Sequence, residues 1–355
     1  MDSLQFFIPG RKVPMTTPPK RATLADVARR ANVSITSVSR LINHTGPIND
    51  ETRQRIQAAM AELGFEPRRS NARITEPTLA VLTGDLLNAY FPEVIRGIQE
   101  EADSYGMLTM LFSLTDQPRR QLQILERLSK RVADAVILMG SPIFPGLDVL
   151  QSRLKLPLVV INRRACAPAL GSIAVDFENA GYRAAQHLLM LGHTRIGFIS
   201  LFQTNVDVAV ARLDGVNQAL REAGLVMRPE WLVNCPPASE MDGGFHAMST
   251  LLTHPAAQRP TAVVCFNDGI AVGAQHAVHA AGLRIPEDIS VVGFDDLAVA
   301  VHACPPLTTI SQPKYRIGMM AVQMLRRMLQ NPSVPGDCVQ TECPLVVRES
   351  TGPCP

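Results

Sequence analysis

The chain has 355 residues, 46% of them hydrophobic and 19% charged, and a formal net charge of +2. That length exceeds one compact core, the composition excludes a disordered chain, and no apolar run reaches the ~20 residues a membrane-spanning helix needs. The net charge hides an asymmetry: residues 1–80 carry 12 Lys and Arg against 7 Asp and Glu, whereas the remainder carries 22 against 25, the balance of a polyanion-binding head on a mildly acidic body.

Residues 1–20 read as a disordered tail. Leu4, Phe6, Phe7 and Ile8 form an apolar patch ahead of Arg11 and Lys12, which reverses the order of a secretory signal, so export is not expected. Pro9, Gly10, Pro14, Pro18 and Pro19 break any regular structure, and Met15 offers an alternative start. The seven cysteines, Cys166, Cys235, Cys265, Cys304, Cys338, Cys343 and Cys354, include no C-x-x-C pair. Most of them fit inert thiols in a reducing cytoplasm, and a bridge between Cys338 and Cys343 is conceivable but not expected.

Residues 21–66 show a purely helical pattern. Thr23 caps a first helix that runs to Ala31, with Asp26 completing a capping box. Asn32 occupies the turn, where a positive φ is needed and Asn is the best residue after Gly. Ser34 caps a second helix, Ile35–Asn43. A third starts at Asn49 or Asp50, and it aligns Ile56, Ala59, Met60 and Leu63 on one face before Gly64 stops it. With Val27, Val33, Val38 and Leu41 facing inward and small Ala28 at the crossing, Ile35, Thr36, Ser37 and Arg40 project from the N-terminal half of the second helix. That is the half with which a helix-turn-helix reads base edges in the major groove.

Residues 67–78 lack an apolar stripe and read as a linker or hinge. From Leu79 onward, short apolar runs alternate with amphipathic segments: LAVLTG, FPEVIRGIQEEADSYG, MLTMLFS, PRRQLQILERLSKR, ADAVILMG and PLVVIN, then SIAVD, NAGYRAAQHLLMLG, RIGFIS, ARLDGVNQALREAG, TAVVCF, DGIAVGAQHAVHAAG and ISVVGFDD. Buried parallel strands separated by helices specify a doubly wound α/β fold, and the strands are too many for one sheet. The fold class expected is therefore an all-α helix-turn-helix head plus an α/β body of two doubly wound lobes. The body spans 79–355, with lobe 1 over about 79–174 and 313–337 and lobe 2 over about 175–312 and 338–355.

ATLADVARRANVSITSVSRLIN resembles the N-terminal signature of the LacI/GalR family of transcriptional regulators, and the resemblance continues to about residue 350. It runs through INDETRQRIQAAMAELGFEP, NAYFPEVIRGI, LPLVVINR, HLLMLGHTRIGFIS, RLDGVNQALREAGL, FNDGIAVGA, LRIPEDISVVGFDD and PPLTTISQP in order. The resemblance implies that Ile35, Thr36 and Arg40 contact bases, that Ser34, Ser37, Ser39 and Asn43 hold phosphates, and that Thr23 belongs to the DNA-facing set. It also implies a hinge helix that starts near Pro67 and wedges Ile74 into the minor groove, although the family usually has Leu there.

The body resembles periplasmic sugar-binding proteins, which implies an effector held between the lobes. The matching positions are Tyr90, Phe91, Asn162, Arg163, Arg212, Asn267 and Asp295, with Asp268 and Asp296 beside them. Rings would stack on a sugar or base, and amides, carboxylates and guanidinium groups would take its hydroxyls. Asn162 stands where Asp is commoner, and Val210 where an effector-binding Arg often lies. Each polar position also suits a helix cap or a strand-end turn.

No G-x-S-x-G, Walker A, G-x-G-x-x-G or H-E-x-x-H is present, and Ser311-x-x-Lys314 is interrupted by Pro313, so no enzyme, cofactor or metal is expected. His193 after Gly192 reads as a helix-end residue. The function expected is a cytoplasmic, nucleoid-associated, homodimeric repressor. It binds operator DNA under control of a sugar, sugar acid or nucleoside effector and has no membrane partner. The alternative is a solute-binding protein of the periplasmic sugar-binding type.

Overall fold

The computed structural model describes residues 22–43, 46–65, 76–84, 86, 88–114, 123–124, 126–128, 132–140, 156–162, 170–201, 206–236, 239–331 and 336–355. The chain divides into a head, Met1–Thr75, and a body, Glu76–Pro355. Ile74, Arg163 and most of the helix expected over 118–131 lie outside the described residues.

In the head, α1 (Leu24–Ala31) begins at a complete capping box. The Thr23 hydroxyl accepts from the Asp26 amide at 3.3 Å, and the Asp26 carboxylate accepts from the Thr23 amide at 2.9 Å. Asn32 ends the helix in the left-handed conformation, φ 51°. The Ser34 hydroxyl accepts from the Ser37 amide at 3.1 Å and starts α2 (Ile35–Asn43). Asn49 caps α3 (Asp50–Glu62) through the Thr52 amide at 2.8 Å. Val27, Ala28, Ala31, Val38, Ile56 and Ala59 are the buried centre.

Leu63, expected on the apolar face of α3, is 36% exposed. The chain reverses at Gly64, φ 56°, and the Phe65 amide donates back to Met60 O at 2.9 Å. This closure returns Phe65, not Leu63, to the core, because the residue two past the helix end folds over the last turn. Arg55 of α3 donates to Ala31 O at 2.8 Å and to Asn32 O at 2.7 Å, and so satisfies carbonyls that the end of α1 leaves without helical partners.

The body contains two six-stranded sheets. The first runs β11-β5-β4-β3-β1-β2, from β1 (Thr78–Thr83), β2 (Leu108–Ser113), β3 (Ala135–Met139), β4 (Leu158–Ile161), β5 (Leu170–Val175) and β11 (Cys338–Thr341). Every pairing in it is parallel. The second runs β12-β10-β9-β8-β6-β7, from β6 (Ile196–Ser200), β7 (Leu232–Asn234), β8 (Ala262–Cys265), β9 (Ser290–Asp295), β10 (Thr308–Ser311) and β12 (Leu345–Val346). Only its β12 is antiparallel. The sequence reading gives residues from 338 onward to lobe 2, but β11 pairs with β5, so the last crossing between lobes falls after Thr341. Cys343 is a free buried thiol, which excludes its bridge to Cys338.

The helices are α4 (Tyr90–Ser104), α5 (Phe177–Met190), α6 (Val206–Glu222), α7 (Glu240–Leu252), α8 (Asp268–Ala280), α9 (Ala298–His302) and α10 (Lys314–Gln330). α7 and α8 cross at Gly244 and Gly273, where a methyl group on either would overlap the backbone of Ile270 or Met241 in the opposite helix. Small-residue contact on both sides brings the two N-termini of these helices together. Gly273→Ala is expected to lower stability by about 1–3 kcal/mol, the usual cost of an overpacked contact, measured by denaturant unfolding of the full chain.

The end of the chain is strapped onto lobe 2 by polar groups. Fully buried Ser350 donates to Val291 O at 2.6 Å and accepts from the Thr308 amide at 2.8 Å. His193, also fully buried, contacts Gly352 O through Nε2 at 3.0 Å and the Thr261 hydroxyl through Nδ1 at 2.9 Å. Because a carbonyl only accepts, Nε2 carries the proton, and Nδ1 then accepts from Thr261 in the neutral ring. The ring thus ties the C-terminal segment to β8 and is not spent on the helix end preceding it. Burial lowers the His193 pKa, and the same cause lowers that of His187, whose ring meets the Thr351 hydroxyl at 2.9 Å. A histidine held neutral contributes stability above its unfolded pKa, near 6.5, and loses it as the pH falls toward the depressed folded value. Melting temperature should therefore drop as pH is lowered from 7.5 to 5, and His193→Gln should flatten that slope.

Candidate DNA-reading face and inter-lobe site

On α2, Ile35 is 54% exposed, and Thr36 and Arg40 are exposed beside it. Val38 on the opposite side is fully buried, so the helix is anchored by one face and offers the other. Among the described residues Arg40 has no ion-pair partner, whereas exposed Arg29 and Arg30 pair with Asp26 at 3.4 Å and Glu62 at 2.5 Å. Ser34 and Ser37 sit at the N-terminus with hydroxyls 2.9 Å apart, and Ser39 is half-buried. Thr23 is occupied by its capping box, and Asn43 closes the helix. The structure thus brings Ile35, Thr36 and Arg40 onto one projecting surface with the serines around its base.

In the body, the expected effector residues that are described, Tyr90, Phe91, Asn162, Arg212, Asn267 and Asp295, lie around the C-terminal ends of the parallel strands, where ligands bind in open α/β sheets. Tyr90 and Phe91 open α4 after β1, both buried, with ring centroids 5.3 Å apart at 82°. The Tyr90 hydroxyl lies 3.3–3.4 Å from the Asn162 amide, and Asn162 ends β4 in a left-handed conformation, φ 66°. Burial raises the Tyr90 pKa above its ordinary value, with the nearby Asp295 and Cys343 adding to it and Asn162 opposing.

Arg212 on α6 is the centre of the lobe 2 side. Its guanidinium carbon lies 3.6 Å from the ring centroid of Phe294, 4.4 Å from that of Phe266 and 5.0 Å from that of Phe177. Nη1 donates to Phe266 O and Nη2 to Asp295 Oδ1 at 3.3 Å. Burial raises the Asp295 pKa and lowers that of Arg212, and their mutual attraction opposes both shifts. Such a pair persists because either charge alone would be far costlier. Arg212 Nε and Gln312 Oε1 are buried with no hydrogen-bond partner among the described residues.

Asp295, φ 103°, and Asp296, φ 53°, hold the turn after β9 in left-handed conformations. Gln312 donates to Asp295 Oδ1 at 2.5 Å, and Lys314 donates to Asp295 O at 2.6 Å and Asp296 O at 3.0 Å. Lys314 also meets Glu93 of α4 at 3.4 Å, so a buried lysine on the returning segment joins groups of both lobes. Asn267 is a helix cap, its oxygen accepting from the Ile270 amide at 2.9 Å, while its amide nitrogen donates to Glu240 Oε1 at 2.7 Å. Asp268 is structural: it accepts from the Thr309 hydroxyl at 2.5 Å and the Leu297 amide at 2.6 Å, and burial next to Asp295 pushes its pKa up to about 8. Asp296 pairs with Arg348 at 2.6 Å. Val210 is 40% exposed on α6.

Sequence reasoning passed over Glu240, Asn88 and Gln312, and met Lys314 only in the discarded Ser311-x-x-Lys314 pattern. A signal existed for Glu240, because Ser239 and Asp242 form a capping pair at 2.6 Å that announces the start of α7. The roles of the other three are recognisable only by what they touch.

Two family profiles match, "Bacterial regulatory proteins, lacI family" over residues 23–68 and "Periplasmic binding protein-like domain" over 185–351. The HTH-type transcriptional repressor CytR of Escherichia coli K12 is 32% identical over 93% of this chain and 96% of its own length. The ribose operon repressor of Haemophilus influenzae is 34% identical over 93% of this chain and 98% of its own. The lac repressor dimer bound to operator and the anti-inducer ONPF aligns with TM-score 0.69 and 26% identity, over 94% of this chain and all of that one.

The chain belongs to the LacI family of bacterial regulatory proteins. It is a DNA-binding transcriptional regulator with an effector-type body, and this similarity over nearly the full length decides against the alternative of a transport-type solute-binding protein. No helix among the described residues is long and apolar enough to cross a membrane.

The pairing of Arg212 with Asp295 makes a direct prediction. Asp295→Ala should cost about 3–5 kcal/mol in urea unfolding, because it leaves a buried guanidinium without its counter-charge, and a loss below about 1 kcal/mol would show that the pair is not needed.

Proposed function

We propose that this LacI-family regulator represses transcription by reading operator bases with Ile35, Thr36 and Arg40 from two heads of a homodimer, in the cytoplasm where that DNA lies. The observation that carries the reading is the exposed trio on α2 above fully buried Val38. A guanidinium in the major groove pairs with both acceptors of a guanine edge, and the neighbouring serines at the helix N-terminus suit phosphate oxygens. Ser34, Ser37, Ser39 and Asn43 take the phosphates, Thr23 flanks them, and Ile74 is the minor-groove wedge. Two-fold symmetry then sets half-sites about one helical turn apart, or a multiple of it.

The effector lies between the lobes against Tyr90, Phe91, Asn162, Arg163, Arg212, Asn267 and Asp295. Two stacked-edge rings supply an apolar wall, the amides and carboxylate fix hydroxyls, and the unpartnered Arg212 Nε and Gln312 Oε1 supply further polar contacts. A sugar, sugar acid or nucleoside satisfies that set. By favouring one lobe arrangement, the effector shifts the population competent for operator. No catalytic step is assigned to these residues.

The test is fluorescence anisotropy of the full chain on a duplex selected from a random library. Arg40→Ala should lose about 1–3 kcal/mol of discrimination, roughly 5- to 150-fold, with an unchanged melting temperature, and affinity should fall steeply with added salt. Absence of any sequence preference at low ionic strength overturns the assignment.

A further inference from the structure

Three helix N-termini meet at one carboxylate between the lobes. Glu240 lies in the first turn of α7, on lobe 2. Its Oε1 accepts from Asn267 Nδ2 at the start of α8, at 2.7 Å, and from Asn88 Nδ2 just before α4 of lobe 1, at 3.1 Å. Neither amide is free to turn away, because each has its oxygen committed. Asn88 Oδ1 accepts from the Tyr90 amide at 2.9 Å, and Asn267 Oδ1 accepts from the Ile270 amide at 2.9 Å. With both oxygens held by backbone amides, both NH2 groups are aimed at the same acceptor.

Gly269 makes the approach possible. A Cβ there would lie 2.6 Å from Glu240 Oε2, so the absent side chain is what lets the carboxylate settle over the first turn of α8. The partial positive charge of helix N-termini favours an ionised carboxylate at this point.

We propose that Glu240 is a built-in latch between the lobes, and that the effector releases it by offering its own O–H or N–H donors in place of the asparagine amides. The proposal rests on the reading that the effector lies between the lobes. A molecule carrying a hydroxyl pair or an amine supplies such donors. Asn88 is the lobe 1 end of the latch, so the same exchange loosens the contact between lobes and reports occupancy to them.

The experiment is a charge-rescue series on the full chain, read by thermal unfolding at pH 7.5 without ligand. Asn88→Asp keeps the oxygen that accepts from the Tyr90 amide but sets a carboxylate against Glu240, and it should lower the melting temperature by about 2 °C or more. Glu240→Gln in that background should recover most of the loss, since the new amide donates to the new carboxylate. An Asn88→Asp variant that melts like the parent, or a double variant whose loss is the sum of the singles, overturns the latch. For release by the effector, D-ribose and adenosine are added at equal concentration to the parent and to Glu240→Ala. Stabilisation of the parent that disappears in Glu240→Ala supports the exchange, and stabilisation that persists undiminished in Glu240→Ala overturns it. Loss of operator preference in Arg40→Ala bears on the proposed function alone and leaves the rescue result standing.

Discussion

A guanidinium enclosed by three phenylalanine rings must be neutralised where it lies, and that requirement organises the body. Arg212 reaches its counter-charge only because the turn after β9 holds Asp295 and Asp296 in left-handed conformations, which L-residues adopt at a cost. Gln312 and Lys314, on the segment returning to the first lobe, hold that turn, and Lys314 continues to Glu93 of α4. Charge, turn and crossing segment are therefore one connected unit. A change in how the lobes meet is felt at Asp295, and a group bound beside Asp295 acts on the crossing.

The same economy governs the head, where a small core has to present a surface that carries no packing of its own. α2 is held by Val38 and by neighbours from α1 and α3, while its N-terminus is secured by Ser34 and the preceding turn by Arg55 on the carbonyls of Ala31 and Asn32. Rigidity supplied from behind leaves Ile35, Thr36 and Arg40 exposed. Arg29 and Arg30 are answered by Asp26 and Glu62, so basic charge near the helix-turn-helix is divided between internal pairing and an outward-facing residue. For a protein that must choose among duplex sequences, that division favours a directed contact over a diffuse positive surface.

Much of this was legible in the chain because the relevant physics is local. A Thr three residues before an Asp, an Asn at the turn that needs a positive φ, and a Ser ahead of Ile35 place the first two helices of the head to the residue. Short apolar runs bounded by turn signals read as strands buried on both faces, so β1, β3, β8 and β9 declare themselves. Several candidate effector residues were legible for a related reason, since Tyr90, Phe91, Asn162, Asn267 and Asp295 stand where a strand ends or a helix or turn begins, whereas Arg212 lies within α6.

What sequence by itself determined, then, is where helices and strands start and stop, which faces they bury, and which side chains are left at their ends. Only tertiary structure decided who meets whom. Leu63 yielded its place to Phe65 because chain reversal at Gly64 brings back a later residue, and Cys338–Thr341 joined the first sheet because β5 offered an open edge. His193 became the anchor of a distant C-terminal segment, and Glu240 found Asn88 across 152 positions of chain. Periodicity and capping are properties of neighbours along the backbone, and they carry no record of partners set by the packing of sheets and helices through space.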